Sequence, residues 1–232
     1  MAKVPAALAA LNEEVVTCRA CPRLVEWREQ VARDKRASFA EDAYWGRPVP
    51  GFGDVAGRLL IVGLAPAAHG GNRTGRVFTG DRSGDWLFAS LHRTGYANQP
   101  RSVSMDDGLE LHDCYVSAVV KCAPPANKPT PEERDRCLPY LIREHELMRN
   151  LRVVVALGAF AWDGYLRLAA RAAGRVLRPK PRFGHLAEAH VGDRVLVGSF
   201  HPSQQNTFTG KLTEPMLDAV FNRARELSAK RS

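Results

Sequence analysis

The sequence lacks any apolar run near the roughly 20 residues that a membrane-spanning helix requires. It also lacks the apolar core of a secretion signal, because Asn12, Glu13 and Glu14 interrupt the first apolar segment. No internal repeat, low-complexity tract or obvious linker divides the 232 residues. These absences favour a cytoplasmic protein with one domain over residues 1–232, and they give no indication of membrane association.

Cysteine is also scarce, with 5 residues in the chain, and cytoplasmic proteins rarely place so few cysteines in disulfides. Cys18 and Cys21 form a C-x2-C pair, whereas Cys122 and Cys137 lie far along the chain. Four thiolates from two distant segments favour a metal site over the alternative of small buried side chains. Zinc and an iron–sulfur cluster both accept sulfur ligands, although a zinc site typically has two tight pairs. Cys114, alone in an apolar run, is expected to be buried.

Acidic residues are outnumbered, because 33 Lys and Arg face 25 Asp and Glu, which gives a net charge of +8. This charge fits a polyanionic partner such as nucleic acid, and it fits equally a basic protein that binds none. An apolar content of 45% is enough for an ordinary packed core.

Apolar runs alternate with amphipathic segments along the chain. Four runs have the composition of buried strands, at 59–62, 114–120, 151–158 and 195–200. Helical patterns occupy 6–16, 23–35, 84–94, 131–150, 159–173 and the segment from about 213. Thr130, Pro131 and Glu133 have the spacing of a capping box with proline at the first helical position. The alternation predicts an α/β fold, a three-layer α/β/α sandwich around a central, mostly parallel four-stranded sheet.

A glycine-rich loop, residues 63–81, follows the first of these strands. Its five glycines allow positive φ angles and a close approach to a ligand. Ligands of α/β proteins bind at the carboxyl ends of the strands, which is where this loop lies. It contains one aromatic residue, Phe78, and one carboxylate, Asp81. We therefore interpret the loop as the wall of a pocket that holds a planar ring.

The motifs at the strand ends resemble those of the iron–sulfur uracil-DNA glycosylases. Gly-Leu-Ala-Pro-Ala stands at 63–67, Gly-Arg-Val-Phe at 75–78, Lys-Cys-Ala-Pro-Pro-Ala-Asn at 121–127 and His-Pro-Ser at 201–203. The alanine-containing first motif and the Ala-His-Gly-Gly-Asn-Arg-Thr-Gly that follows it are most similar to the family-5, or type b, branch. The resemblance extends over about residues 15–225 and implies a uracil-DNA-glycosylase-like fold.

The resemblance implies a monofunctional DNA repair enzyme that hydrolyses the bond between a deaminated base and its sugar. It implies a [4Fe–4S] cluster on Cys18, Cys21, Cys122 and Cys137, which ties the helices within 6–36 to the rest of the chain. The expected partner is double-stranded, and also single-stranded, DNA that contains deaminated bases, and the expected state is a monomer.

Two departures from the family-4 pattern concern the substrate. Family-4 enzymes carry an acidic residue in the first motif and an asparagine in the strand before Lys-Cys. Here the first motif ends in Ala67 and Ala68, and Ser117-Ala118 stands where the asparagine is expected. The resemblance therefore implies a range wider than uracil, with hypoxanthine and xanthine included.

A glycosylase must extract its base from the duplex before the bond can be reached. We expect Phe78 to stack on the base and His201 to stabilise the departing anion. Asp81 is expected to orient the water or stabilise the cationic sugar, and Asn127 to contact the base or its water. Each has a structural alternative: Phe78 in the core, His201 bonded to backbone, Asp81 as a helix cap and Asn127 in a turn.

The other predicted contacts involve the base and the DNA around it. The predicted base-binding residues, besides Phe78, are Gly63, Leu64, Ala65, Ala67, Ala68, His69, Asn72 and Ser203. The predicted DNA-binding residues are Arg73, Arg76, Gln204, Gln205, Asn206 and Lys211. A flexible loop at 204–211 is expected to wedge the duplex with Phe208. Two alternative functions are a metal-stabilised nucleic-acid-binding protein without glycosylase activity and a hydrolase of free nucleotides.

Overall fold

Among residues 5–229, six strands form one mixed sheet. The computed structural model describes residues 5–229, so the ends of the predicted 1–232 domain, residues 1–4 and 230–232, lie outside the described residues. The strands are β1 (Phe52–Gly53), β2 (Leu59–Gly63), β3 (Cys114–Ala118), β4 (Val153–Leu157), β5 (Glu188–Val191) and β6 (Arg194–Ser199). Their order in the sheet is β1-β3-β2-β4-β6-β5.

The four central strands are parallel and the two edge strands are antiparallel. Leu59 of β2 lies between Cys114 of β3 and Val153 of β4 in the register. The predicted parallel strands are therefore confirmed, but the sheet has six strands and not four. β1 is only two residues long, and β5 alternates exposed and buried residues, so neither has the continuous apolar run of a central strand.

Helices cover both faces of the sheet, which confirms the three-layer α/β/α architecture. They are α1 (Ala6–Thr17), α2 (Pro22–Asp34), α3 (Gly71–Thr74), α4 (Arg82–Arg93), α5 (Pro131–Leu147), α6 (Ala159–Ala173), α7 (Gln204–Phe208) and α8 (Glu214–Ala229). One apolar cluster packs α1, α5 and α6 against one face, and a second packs α4 and α8 against the other. Among residues 5–229, every helix is too short or too polar to cross a membrane.

The predicted capping box begins α5. Thr130 Oγ1 accepts a hydrogen bond from Glu133 N at 3.2 Å, and Glu133 Oε2 accepts one from Thr130 N at 2.8 Å. The carboxylate of Glu133 also pairs with Arg23 of α2 at 2.6 Å. The start of α5 is thus joined to the N-terminal helices beside the cysteines.

A buried ion pair holds the end of β3 to α5. Lys121 Nζ lies 2.6 Å from Glu144 Oε2 and 2.5 Å from Ser117 Oγ, and all three side chains are almost fully buried. Ser117 Oγ donates to the same Glu144 oxygen at 2.6 Å. Glu144 Oε1 accepts from Gly51 N at 3.1 Å. The lysine of the Lys-Cys motif therefore points into the protein and fixes the segment that carries Cys122.

Replacing Lys121 with methionine should destabilise the protein by roughly 3–5 kcal/mol, because it leaves the buried Glu144 carboxylate without its cation. Lys180→Met is the matched control, since Lys180 forms an exposed pair with Asp163; such a pair is worth about 1 kcal/mol or less. Urea unfolding of both variants measures the difference. An equal decrease in the free energy of unfolding of the two variants would contradict the importance of the buried pair.

Candidate active site

A pocket of about 910 Å³ opens at the carboxyl ends of β2 and β6. Its walls come from five segments of the chain: the segment after α2, the first-motif loop, the segment that enters α4, the loop that carries Asn127 and the His-Pro-Ser segment. Among the residues predicted for base binding or catalysis, those that line it are Leu64, Ala65, Ala67, Ala68, His69, Phe78, Asp81, Asn127, His201 and Ser203. The fold thus brings together candidates that are up to 139 positions apart, from Leu64 to Ser203.

Phe78 occupies a constrained position in the wall. Its φ is +52°, in the left-handed region that disfavours a bulky residue, and only 7% of its surface is exposed. Its ring lies against Gly63 and its carbonyl against Gly84, and a Cβ on either glycine would collide with it. The two glycines therefore allow the backbone and ring of Phe78 to take one fixed position beside the pocket.

Asp81 performs the helix-capping role that was its structural alternative, and it also lines the pocket. Asp81 Oδ1 accepts a hydrogen bond from Gly84 N at 3.0 Å at the start of α4. The second oxygen, Oδ2, lies against Gly70, where a Cβ would collide with it. Burial raises the pKa of the Asp81 carboxyl, and hydrogen bonds from the Gly84 and Ser83 amides oppose that rise. The carboxylate is therefore held in one orientation with one oxygen outside the capping bond.

His201 follows β6 and stands beside Phe78, with ring centroids 6.0 Å apart. Asn206 Nδ2 donates to the His201 carbonyl at 2.9 Å and so ties the start of α7 to this residue. Burial lowers the pKa of His201 to about 4, so the imidazole is neutral at pH 7. Within residues 5–229, the ring nitrogens have no hydrogen-bond partner. The ring can therefore offer an N–H to a ligand without giving up a bond inside the protein.

The outer wall contains His69 and two residues that the sequence motifs did not indicate. His69 Nδ1 lies 2.9 Å from Tyr44 Oη, and burial lowers the His69 pKa, with Arg36 and Arg73 adding to the effect. Arg36 and Phe39 line the pocket from the segment after α2. Neither belongs to a motif or to a predicted strand end, so only the packing of this segment on the loop reveals them.

Two polar residues of the loop do not reach the pocket, and their predicted roles are corrected. Asn72 is fully buried, so it cannot contact a base. Arg76 is 4% exposed and pairs with Asp107 at 2.6 Å and with Ser102 Oγ at 2.7 Å, so it cannot contact DNA. Burial alone would raise the pKa of Asp107, but Arg76 and three backbone amides bring it to about 2. Both residues hold the loop in place from inside.

Arg73 is likewise engaged within the protein. Its guanidinium contacts Asp42 at 2.5 Å and donates to the carbonyl oxygens of His69 at 2.9 Å and Gly80 at 3.0 Å. These bonds join the two ends of the loop. The predicted DNA contact of Arg73 is therefore corrected to a structural role.

The predicted base contact of Gly63 is corrected as well, because Gly63 lies under the Phe78 ring and does not line the pocket.

The segment after His-Pro-Ser is partly helical and not the flexible loop that was predicted. Gln204 and Gln205 begin α7, are exposed and line the pocket. Phe208 ends α7 with 68% of its surface exposed, and Arg82 lies over its ring at 4.1 Å. Lys211 is exposed beyond α7. An aromatic side chain and several polar ones therefore stand at the mouth of the pocket.

A separate cavity is lined by the four predicted metal-binding cysteines, Cys18, Cys21, Cys122 and Cys137. Two donors point at their sulfurs: Arg28 Nη1 donates to Cys122 Sγ at 2.9 Å, and Lys121 N donates to Cys137 Sγ at 3.1 Å. All five cysteines are free thiols, and Cys114 is buried in β3, as predicted. Among residues 5–229, no three or more His, Cys, Asp or Glu side chains are arranged to hold a single metal ion.

Comparisons with known proteins agree with the resemblance that the motifs indicate. The model of the uracil DNA glycosylase superfamily matches residues 50–225. The type-5 uracil-DNA glycosylase of Mycobacterium bovis is 56% identical over 220 residues, covering 94% of this chain and 81% of that protein. The type-5 enzyme of Thermus thermophilus is 46% identical over 94% of this chain and 97% of its own length. These matches confirm the resemblance drawn from the motifs.

A more distant match separates the two branches. The type-4 uracil-DNA glycosylase of Pyrobaculum aerophilum is 31% identical over 163 residues, which are 69% of this chain and 74% of that protein. The difference in identity and coverage places the chain nearer to the type-5 proteins, as its alanine-containing first motif predicts.

His201→Gln should make the pH dependence of stability between pH 6.5 and 4 less steep, although partly buried His145, whose pKa is also lowered to about 4, keeps its share of the slope. Above the ordinary His pKa of 6.5 the ring is neutral in both folded and unfolded chains. Below pH 6.5 the unfolded chain binds a proton at this residue, whereas the folded chain stays unprotonated there down to about pH 4. The free energy of unfolding therefore decreases as the pH falls, by up to about 1.4 kcal/mol per pH unit. Urea unfolding of both proteins at pH 6.5, 5.5 and 4.5 measures this slope. Parallel curves would contradict a buried neutral His201.

Proposed function

The chain belongs to the uracil-DNA glycosylase superfamily, and from that membership we propose that it removes uracil from DNA by hydrolysing the N-glycosidic bond. The product is DNA with an abasic site. One observation carries the proposal: Phe78, Asp81, Asn127 and His201, from three separate segments, line a single pocket. An enzyme that acts on a flipped base needs a stacking surface, a hydrogen-bond donor and a carboxylate at one place, and this pocket supplies all three.

Recognition begins with extrusion of the nucleotide. The base leaves the duplex and enters the pocket beside Phe78, whose ring is held by the Gly63 and Gly84 backbones. Stacking on an aromatic side chain is worth about 1–3 kcal/mol per base and offsets part of the lost base stacking. Phe208 stands exposed at the rim and fills the gap in the duplex. The exposed Gln204, Gln205 and Arg36 are placed to contact the strand around the extruded nucleotide.

Bond cleavage moves the electron pair of the C1′–N bond onto the base. The neutral His201 ring donates an N–H to a base carbonyl and stabilises the negative charge that develops there. Backbone amides of the first-motif loop add further donors. The Asp81 carboxyl lies next to the cationic sugar and orients the water whose oxygen bonds to C1′, and the proton that this water releases neutralises the departed base anion. Asn127 fixes the base or the water from the opposite loop.

The range of bases extends beyond uracil to hypoxanthine and xanthine. The wall that faces the base carries only methyl groups at Ala65, Ala67 and Ala68. Ser117 is turned into the protein, bonded to Lys121 and Glu144, and reads no base edge. A wall without a specific side-chain donor or acceptor discriminates weakly between bases of similar polarity.

A [4Fe–4S] cluster is held by Cys18, Cys21, Cys122 and Cys137. The four cysteines line one cavity, and a [4Fe–4S] cluster takes one thiolate per iron. Arg28 and the Lys121 amide supply the hydrogen bonds to sulfur that such clusters usually receive. The cluster cross-links α1, α2 and α5, and the hydrolysis itself requires no electron transfer.

The protein acts as a monomer on double-stranded and single-stranded DNA in the cytoplasm, with residues 1–232 forming one domain. One chain supplies every residue of the pocket, and one sheet with two apolar layers joins all the segments that line it. The net charge of +8 favours DNA as a partner. The five cysteines, none of which is paired in a disulfide, suit a reducing compartment.

His201→Ala and Asp81→Asn should each slow uracil release by about 10²–10³-fold, the effect of losing one preorganised group. The assay is single-turnover release of uracil from a duplex with one U, followed by alkaline cleavage at the abasic site. His190→Ala and Asp106→Asn, which alter exposed residues outside the pocket, are the matched controls.

Duplexes with hypoxanthine or xanthine in place of uracil test the substrate range in the same assay. We expect the wild-type protein to release hypoxanthine and xanthine at rates within about 100-fold of its rate for uracil. The reason is that one missing contact raises the activation free energy by about 1–3 kcal/mol. Binding of DNA without any abasic product would contradict the proposed function and favour a non-enzymatic nucleic-acid-binding protein.

Anaerobically purified protein should contain about four iron and four sulfide per chain and show visible absorbance. Cys122→Ser should lose most of both, because one of the four ligands is removed. Cys114→Ser should retain them, since that thiol lies in β3 outside the cavity. Stoichiometric zinc without iron would contradict the cluster.

A further inference from the structure

Asn72 links the pocket wall to helix α2 by its side-chain amide. It is fully buried, and its Nδ2 donates to the carbonyl oxygens of Arg28 at 3.2 Å and Ala68 at 3.4 Å. Its backbone N donates to Ala67 O at 3.0 Å. One residue therefore holds Ala67 and Ala68, two residues of the pocket wall, against a helix that does not itself line the pocket.

Arg28 continues this link into the cysteine cavity. Its side chain is only 2% exposed; Nη1 donates to Cys122 Sγ at 2.9 Å and Nη2 to Cys18 O at 3.1 Å. A buried guanidinium is costly unless it has an anionic partner, and sulfur ligands provide negative charge. The same residue thus contacts the metal-site cysteines with its side chain and Asn72 with its carbonyl group.

We propose that Asn72 and Arg28 are positioning residues that make the placement of the Ala67–Ala68 wall depend on the cysteine site. This inference rests on the proposed glycosylase function and on the proposed cluster. When the cluster is bound, its charge holds the Arg28 guanidinium, Arg28 fixes α2, and Asn72 fixes the wall. Ala67 and Ala68 line the pocket that takes the base, and catalysis is sensitive to displacements of about 1 Å. Loss of the cluster therefore loosens the pocket without removing any residue from it.

Asn72→Ala and Arg28→Met, singly and together, test the link by a double-mutant cycle. Each single variant should slow single-turnover uracil release by about tenfold, the effect of one buried hydrogen-bond partner. Affinity for uracil-free duplex should stay within about twofold, because neither residue faces DNA. The rate of uracil release by the double variant should lie within about twofold of the rate of the slower single variant. The two losses do not add, because both residues act through one connection.

The visible absorbance separates the two residues. Asn72→Ala should keep the absorbance unchanged, whereas Arg28→Met should lose it faster in air, because Arg28 donates to a cysteine sulfur and Asn72 does not. Asn150→Ala is the matched control: its amide also donates to a backbone carbonyl, that of Ala56, but at an exposed site outside the pocket. It should retain wild-type rate and absorbance. If the loss of rate in the double variant equals the product of the two single losses, the residues act independently and the proposed link is overturned.

Amide hydrogen exchange provides a measurement that does not depend on activity. In Arg28→Met and Asn72→Ala, exchange in the segment 64–75 should rise at least about tenfold, while exchange in α8 (Glu214–Ala229) stays at the wild-type rate. Unchanged exchange in 64–75 would overturn the proposal. If wild-type protein releases no uracil, the proposed function fails, and the exchange result still decides whether the link exists.

Discussion

The position of Lys121 is the constraint on which both the cysteine cavity and one side of the pocket depend. Its ammonium group is buried against Glu144, which draws the end of β3 onto α5. Its backbone N donates to Cys137 Sγ and its carbonyl accepts from Val49 N at 2.7 Å. A buried charge has very few acceptable positions, because any displacement leaves it unpaired in a medium of low polarity. The adjacent Cys122 and the loop toward Asn127 start from that fixed point.

The pocket is assembled by a different constraint, the close approach of backbone at glycine. The ring of Phe78 lies where a side chain on Gly63 would be, and the second oxygen of Asp81 lies where one on Gly70 would be. Small residues at these points bring the aromatic wall and the carboxylate to the end of β2. Asp81 then serves two purposes, because the bond that caps α4 also fixes the orientation of the carboxylate. Stability and the proposed chemistry are served by the same hydrogen bond.

The polar side chains of the glycine-rich loop form two sets, one that points into the protein and one that points into the pocket. Asn72, Arg73 and Arg76 face inward and bond carbonyl groups, carboxylates and hydroxyls that hold the loop together. His69 and Asp81 face the pocket. Positive charge in the sequence near the proposed DNA-binding pocket is therefore an incomplete guide to which residues contact phosphate. In this loop arginine is used for its several donors, which join distant backbone segments at once.

The sequence by itself determined the central strands, the main helices, the α5 capping box and the four cysteines that share a cavity. These follow from local patterns: apolar runs, helical periodicity, the Thr130–Glu133 spacing and the shared motifs. Only the tertiary structure decided that β1 and β5 complete the sheet, that Arg36 and Phe39 reach the pocket, and that Asn72 and Arg76 are buried. Edge strands form by pairing with a neighbour, and side-chain direction in a loop depends on φ angles such as the +52° of Phe78. Neither is encoded in the spacing of residue types along the chain.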